Sequence, residues 1–166
     1  MILLNYNDVG DIINNNRVVK IIQENFKYMA DIKKIEWEES YSVGVKIIDN
    51  QHKKFFDIIN NLISVLGRRV TEGDIKEIID GLIAYTEYHF ATEEKYFKDF
   101  NFEGAAEHIK QHQLFREKVA EIQKSFGDDL PGFAFGLADL LEDWLIDHIM
   151  TMDQQYKNCF ISHGLK

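Results

Sequence analysis

The chain has 166 residues, 45% hydrophobic and 28% charged, with one proline and one cysteine, a composition that suits one compact globular domain and excludes a disulfide framework or low-complexity disorder. A formal net charge of -9 repels anionic partners, so nucleic acid is excluded, and Lys33-Lys34, Lys53-Lys54 and Arg68-Arg69 read as isolated surface pairs. The first residues lack a basic, apolar leader and no run is long enough to span a bilayer, which predicts a cytoplasmic protein without membrane insertion; Cys159 then reads as a small packed side chain.

Residues 1–35 carry Val18, Ile22, Met29 and Ile32 at helical spacing, predicting a partly helical N-terminal extension that caps the rest, mediates self-association or derives from a sensory linker. Residues 36–166 form the second unit. From Asp49 to Leu66 a stripe of His52, Phe55, Phe56, Ile59, Leu62, Ile63 and Leu66 predicts an amphipathic helix stopped by Gly67. A second stripe, Ile75, Ile78, Ile79, Leu82, Tyr85, Thr86, His89, Glu93, Tyr96 and Phe97, predicts a helix capped by Asp74 and ending before Asn101. Ala105, His108, His112, Phe115, Val119, Ile122 and Phe126 form a third up to Gly127. A fourth begins near Pro131 and carries Leu137, Leu140, Leu141, Trp144, Leu145, His148, Ile149 and Met152. Four such segments joined by short connections predict an all-α, up-down-up-down antiparallel four-helix bundle.

Polar residues interrupt these apolar stripes. Of six histidines, His52, His89, His108, His112 and His148 all fall on the predicted interior faces. One buried histidine is commonly satisfied by a neighbour, but five together are costly to bury unless something pairs with them all. His89 with Glu93, and His108 with His112, are i,i+4 pairs that share a helical face. His148 and Asp153 are five apart, roughly 140° around an ideal helix, so spacing alone does not pair them. Imidazoles with few carboxylates and no thiolate suit iron, zinc, copper or nickel and disfavour calcium and magnesium. Seven candidate ligands exceed the needs of one tetrahedral zinc. Two ions bridged by Glu93 and Asp153, with the histidines as terminal ligands, would use all seven. His108-Ile109-Lys110-Gln111-His112 lacks the glutamate of a zinc protease, and the Glu-x-x-His pairs of ferritin-like diiron proteins are missing.

These residues resemble the hemerythrin family, and within it the bacterial type. The resemblance rests on Trp37-Glu38-Glu39-Ser40-Tyr41-Ser42-Val43-Gly44-Val45 leading into Ile48-Asp49-Asn50-Gln51-His52, on His89-x-x-x-Glu93 and His108-x-x-x-His112, and on Trp144 through His148 to Asp153. It covers about residues 36–160. It implies two non-haem iron ions joined by an oxo or hydroxo bridge and by Glu93 and Asp153. The terminal ligands it implies are His52, His89, His108, His112 and His148, three on one iron and two on the other, which keeps a site open for dioxygen.

Phe55, Phe56, Trp144, Leu145 and Ile149 lie within about a turn of His52 or His148 and are expected to line a dry oxygen pocket. Phe55 stands where the family often has leucine. The implied function is reversible dioxygen binding for storage, transport or delivery, without enzymatic turnover. The alternatives are an oxygen or redox sensor using the N-terminal extension, and a diiron enzyme acting on peroxide or nitric oxide.

Overall fold

In a computed structural model of the chain, the described residues are 34–166 apart from 126 and 128. The extension expected over residues 1–35 lies outside them but for its last two residues. Of these, Ile35 is tied to the bundle: its N–H donates to Asn60 Oδ1 at 2.8 Å and its carbonyl accepts from Asn60 Nδ2 at 2.9 Å. The fold is all-α, an antiparallel four-helix bundle, with no strand among the described residues.

Helix α1 spans Lys46–Leu66. The chain enters it through Gly44, whose φ of 69° is one that side-chain-bearing residues seldom adopt. Asp49 fixes that turn by accepting from Val43 N–H at 2.9 Å and Ser42 Oγ at 2.7 Å. At the far end Gly67 keeps a right-handed backbone, φ -72° and ψ 0°, so the expected glycine stop operates without a left-handed residue.

Helix α2 spans Glu72–Asp99. Its N-cap is Thr71 rather than the expected Asp74. Asp74 is instead the reciprocating partner three residues on, donating its N–H to Thr71 Oγ1 at 3.2 Å and accepting from Thr71 N–H at 2.9 Å. At the C-terminus Asn101 takes a φ of 51°. Phe102 N–H then reaches back to Phe97 O at 3.0 Å, and their rings meet 5.2 Å apart, a Schellman closure with its usual apolar contact.

Helix α3 spans Ala105–Ser125. Helix α4, Leu130–Trp144, is capped by Asp129, whose side chain accepts from Gly132 N–H at 3.0 Å, with Pro131 in the first turn. A π-helical stretch, Leu145–Met152, follows directly, and then α5, Asp153–Ser162. The backbone stays in the right-handed helical region at both junctions, so these three segments form one continuous fourth rod. It runs to Ser162, ten residues beyond Met152, the last residue of the expected apolar stripe.

Helix α1 packs on α2 and α4, and α2 packs on α3. Two buried apolar layers result. Val43, Val45, Ile48, Phe97, Tyr156 and Phe160 fill one end. Toward the other lie Ile59, Leu62, Ile78, Leu82, Val119, Leu137 and Leu141. The polar residues singled out by the sequence occupy the stretch of each helix between these layers.

Candidate metal centre

All seven residues are buried: His52, His89, His112, Glu93 and Asp153 have no exposed surface, and His108 and His148 only 1% and 3%. They converge into two groups, Glu93 with His108, His112 and His148, and His52, His89, Glu93 and Asp153, within each of which the ligand atoms lie within 4.8 Å of one another.

Each carboxylate faces both groups. Glu93 Oε2 is 3.1 Å from His112 Nε2 and 3.7 Å from His108 Nε2, while its Oε1 lies 3.5 Å from His89 Nε2 and 4.0 Å from His52 Nε2. Asp153 Oδ1 is 3.2 Å from His108 Nε2 and 3.3 Å from His148 Nε2, and Oδ2 is 3.1 Å from His52 Nε2. The arrangement therefore divides into a three-imidazole side and a two-imidazole side, spanned by two carboxylates.

The π-helical stretch explains how Asp153 joins His148. Its wider turn pairs Asp153 N–H with His148 O, five residues back, which draws both side chains toward one face. On a regular α-helix they would diverge.

Polar atoms at this centre lack partners within the protein. Unpaired buried atoms include both ring nitrogens of His52, Nε2 of His89 and His112, Nδ1 of His108, Oε2 of Glu93 and both oxygens of Asp153. Most of them face the shared space between the two groups. Buried groups left this way are destabilising, and a cation on each side would satisfy all of them but the outward Nδ1 atoms of His52 and His108. The donor set, imidazole nitrogen and carboxylate oxygen without thiolate, fits a non-haem transition-metal pair.

Outward-facing atoms are held by residues that the periodicity did not single out. His89 Nδ1–H donates to Gln51 Oε1 at 2.9 Å, and Gln51 Nε2 donates to Thr92 Oγ1 at 3.2 Å. His112 Nδ1–H donates to Glu94 Oε1 at 3.0 Å, which also accepts from Arg116 Nη1 at 3.0 Å. These bonds leave each Nε2 lone pair directed at the centre. Phe90 stacks on the His112 ring, centroids 3.8 Å apart and 7° from parallel. Tyr156 donates its hydroxyl to Glu93 Oε1.

Protonation follows from this enclosure. Burial, reinforced by the neighbouring imidazoles, holds His112 down at about 4 and His148 down at about 3 and puts His89 well below its ordinary value, so these rings are neutral at neutral pH, the form in which an imidazole can bind a cation. For His52 burial acts in the same direction, but Asp153 and Glu93 outweigh it and raise the ring. Burial beside Asp153 pushes Glu93 up to about 8. Burial alone would raise Asp153 too, yet the imidazoles of His148, His108 and His52 hold it well below the usual carboxylate range.

Of the expected lining residues, Phe55, Leu145 and Ile149 are buried at 0%, 1% and 0%. Trp144 stacks on His148, centroids 4.1 Å apart and 13° from parallel, and meets Phe55 edge-on at 5.6 Å. Phe55 stacks on Tyr85 at 5.2 Å, and Tyr85 on His89 at 5.1 Å. An aromatic wall therefore links the two sides of the centre. Phe56 is placed differently, its ring meeting Tyr41 at 4.9 Å and Trp37 at 5.5 Å, which makes it the anchor for the segment preceding α1. His163, outside the predicted site, stacks on Phe100 at 4.5 Å.

The hemerythrin HHE cation binding domain model matches residues 43–160. The bacteriohemerythrin of Pseudomonas aeruginosa is 34% identical over 126 residues, covering 72% of this chain and 77% of the relative. That of Stenotrophomonas maltophilia is 30% identical over 129 residues, covering 76% and 82%. Among solved structures, a hemerythrin point mutant superposes with a TM-score of 0.66 at 25% identity, covering 77% of this chain and 98% of the other. A domain match that runs from the turn before α1 to the last turn of the fourth rod, and so takes in every residue of the two converging groups, makes this chain a member of the hemerythrin family.

Proposed function

We propose that the chain binds dioxygen reversibly at a centre of two iron ions, as an oxygen store or carrier. Membership of the hemerythrin family supports a diiron, oxygen-binding type of function. The observation that carries the finer reading is the two-sided presentation of Glu93 and Asp153, each offering one oxygen to His108 and a second to His52. In this reading His108, His112 and His148 hold one iron, His52 and His89 hold the other, and the two carboxylates, with an oxo or hydroxo group, bridge them. The side with two imidazoles is one protein ligand short of the other, which leaves an open position.

The iron pair, when bound, supplies the electrons for reversible dioxygen binding. The protein's part is to hold neutral imidazoles by Gln51 and Glu94 and to enclose the centre with apolar side chains, Phe55, Leu145, Ile149 and Trp144 among them, which have no acid or base to offer. Such a lining excludes water and favours binding and release over turnover. Among the described residues no helix is long and apolar enough to cross a membrane, and we place the protein in the cytoplasm with dioxygen as its ligand.

Iron content and optical spectra of the purified protein through repeated air and vacuum cycles test this. The expected result is two irons per chain and a charge-transfer band that fades on deoxygenation and returns with air. A band that is lost irreversibly on the first cycle, or peroxide or nitric oxide consumed catalytically, would overturn the carrier reading.

A further inference from the structure

Among the described residues, seven contain buried side-chain polar atoms without a partner, and six of them, His52, His89, Glu93, His108, His112 and Asp153, belong to the proposed ligand set. The seventh is Tyr85, whose hydroxyl is enclosed and unpaired. Two metal ions would satisfy the inward Nε2 and carboxylate atoms of these six, leaving the outward Nδ1 atoms of His52 and His108 and, away from the ligand set, the Tyr85 hydroxyl. A buried hydroxyl is ordinarily paired, and a native exception calls for a physical cause.

The position of Tyr85 supplies that cause. It lies one turn before His89 on α2, and its ring stacks on the His89 imidazole, centroids 5.1 Å apart and 18° from parallel. Its opposite neighbour is Phe55, 5.2 Å away. Tyr85 thus stands at the two-imidazole side, the side with the open position, and through Phe55 it joins the aromatic wall that continues to Trp144. Phenylalanine would complete that wall without leaving an unpaired atom. A phenol is protonated at neutral pH and is both donor and acceptor, while a small ligand that draws electrons from iron gains negative charge and accepts hydrogen bonds strongly.

We propose that the Tyr85 hydroxyl is the hydrogen-bond donor for a small exogenous ligand, dioxygen or a small anion, entering at the His52 and His89 side of the centre. This rests on the diiron reading above and adds to it a specificity-determining residue: the unpaired donor favours ligands that become anionic over neutral ones of the same size.

The test compares wild type, Tyr85→Phe and the surface control Tyr88→Phe, each as the full iron-loaded chain, with azide as the probe. Iron content is measured first. For Tyr85→Phe the expected result is azide affinity about tenfold weaker, loss of the deuterium sensitivity of the azide stretching band, faster dioxygen release, and a ligand-free melting temperature equal to or above wild type, because an unpaired buried hydroxyl has been removed. Tyr88→Phe should match wild type in all four. Azide affinity within twofold of wild type with an unchanged deuterium shift would overturn the proposal, as would a lowered ligand-free melting temperature with unchanged affinity, which marks a packing role. Wild type without two irons would remove the diiron reading and this inference with it; two irons with an indifferent Tyr85→Phe removes the inference alone.

Discussion

Replacing Gln51 by leucine tests whether the orientation of one imidazole controls metal retention on one side of the centre. Gln51 is 3% exposed, and its Oε1 accepts from His89 Nδ1–H at 2.9 Å while its amide nitrogen is anchored on Thr92. Leucine is close to glutamine in size, so packing changes little and the loss is that of the acceptor. A buried N–H stranded in this way costs about 1–3 kcal/mol. At about 2–4 °C per kcal/mol for a chain of this size, the melting temperature should fall by roughly 2–12 °C. Loss of such an orienting partner also weakens metal binding by about 10–100-fold. His112 on the other side keeps Glu94, so the loss should be one-sided. Dialysis against a ferrous chelator, with iron content followed over time, should take Gln51→Leu from two irons to about one per chain while wild type keeps both. Gln51→Glu, which restores an acceptor, should restore retention. Equal retention of both irons by Gln51→Leu would refute the reasoning.

Three further outcomes are expected. Glu93, pushed up to about 8 by burial, keeps its proton at neutral pH in the metal-free protein and must lose it to bridge two cations. Ferrous affinity should therefore climb by at least about tenfold per pH unit from pH 6 towards 8, since His52, also raised, has a proton to lose as well, and flatten above; a lightly buffered titration with an indicator should register the released protons, and a pH-independent affinity would contradict this. Phe55→Leu widens the wall beside Tyr85 and Trp144, so stopped-flow oxygen association and the rate of autoxidation should both rise, for a stability loss of about 1 kcal/mol; unchanged rates would mean that ligands enter elsewhere. Thr71→Ala removes the α2 cap, costing about 1 kcal/mol, or about 2–4 °C in a thermal melt, with iron content unaltered; an unchanged melting temperature would show that the cap contributes nothing.

Much of the molecule was readable from helical periodicity, because the same stripe that buries Ile59 or Leu82 also carries His52 or His89. The four helices therefore appeared with their inward polar residues. What periodicity hid was anything depending on a departure from the regular helix. Asp153 is the clearest case: its pairing with His148 depends on the π-helical stretch Leu145–Met152, and on a regular repeat only resemblance to the family connects them. Caps were hidden for a similar reason, since Thr71 and Asp74 are both good capping residues and only the reciprocal bonds decide between them. Gln51 and Glu94 sit beside the predicted ligands His52 and Glu93 in sequence, yet each serves a histidine on another helix, 38 and 18 residues away. Tyr156 did leave a signal, lying three residues beyond Asp153 and four before Phe160 on the buried stripe. Phe56, one residue from Phe55, turns instead to Trp37 and Tyr41, because adjacent residues on a helix point about 100° apart.

Diffraction from crystals of the iron-loaded protein at energies on either side of the iron absorption edge would locate the metal directly. The account predicts two anomalous peaks about 3.5 Å apart, one among His108, His112 and His148 and the other beside His52 and His89, with Glu93 and Asp153 between them. A single peak, or peaks away from these side chains, would contradict it.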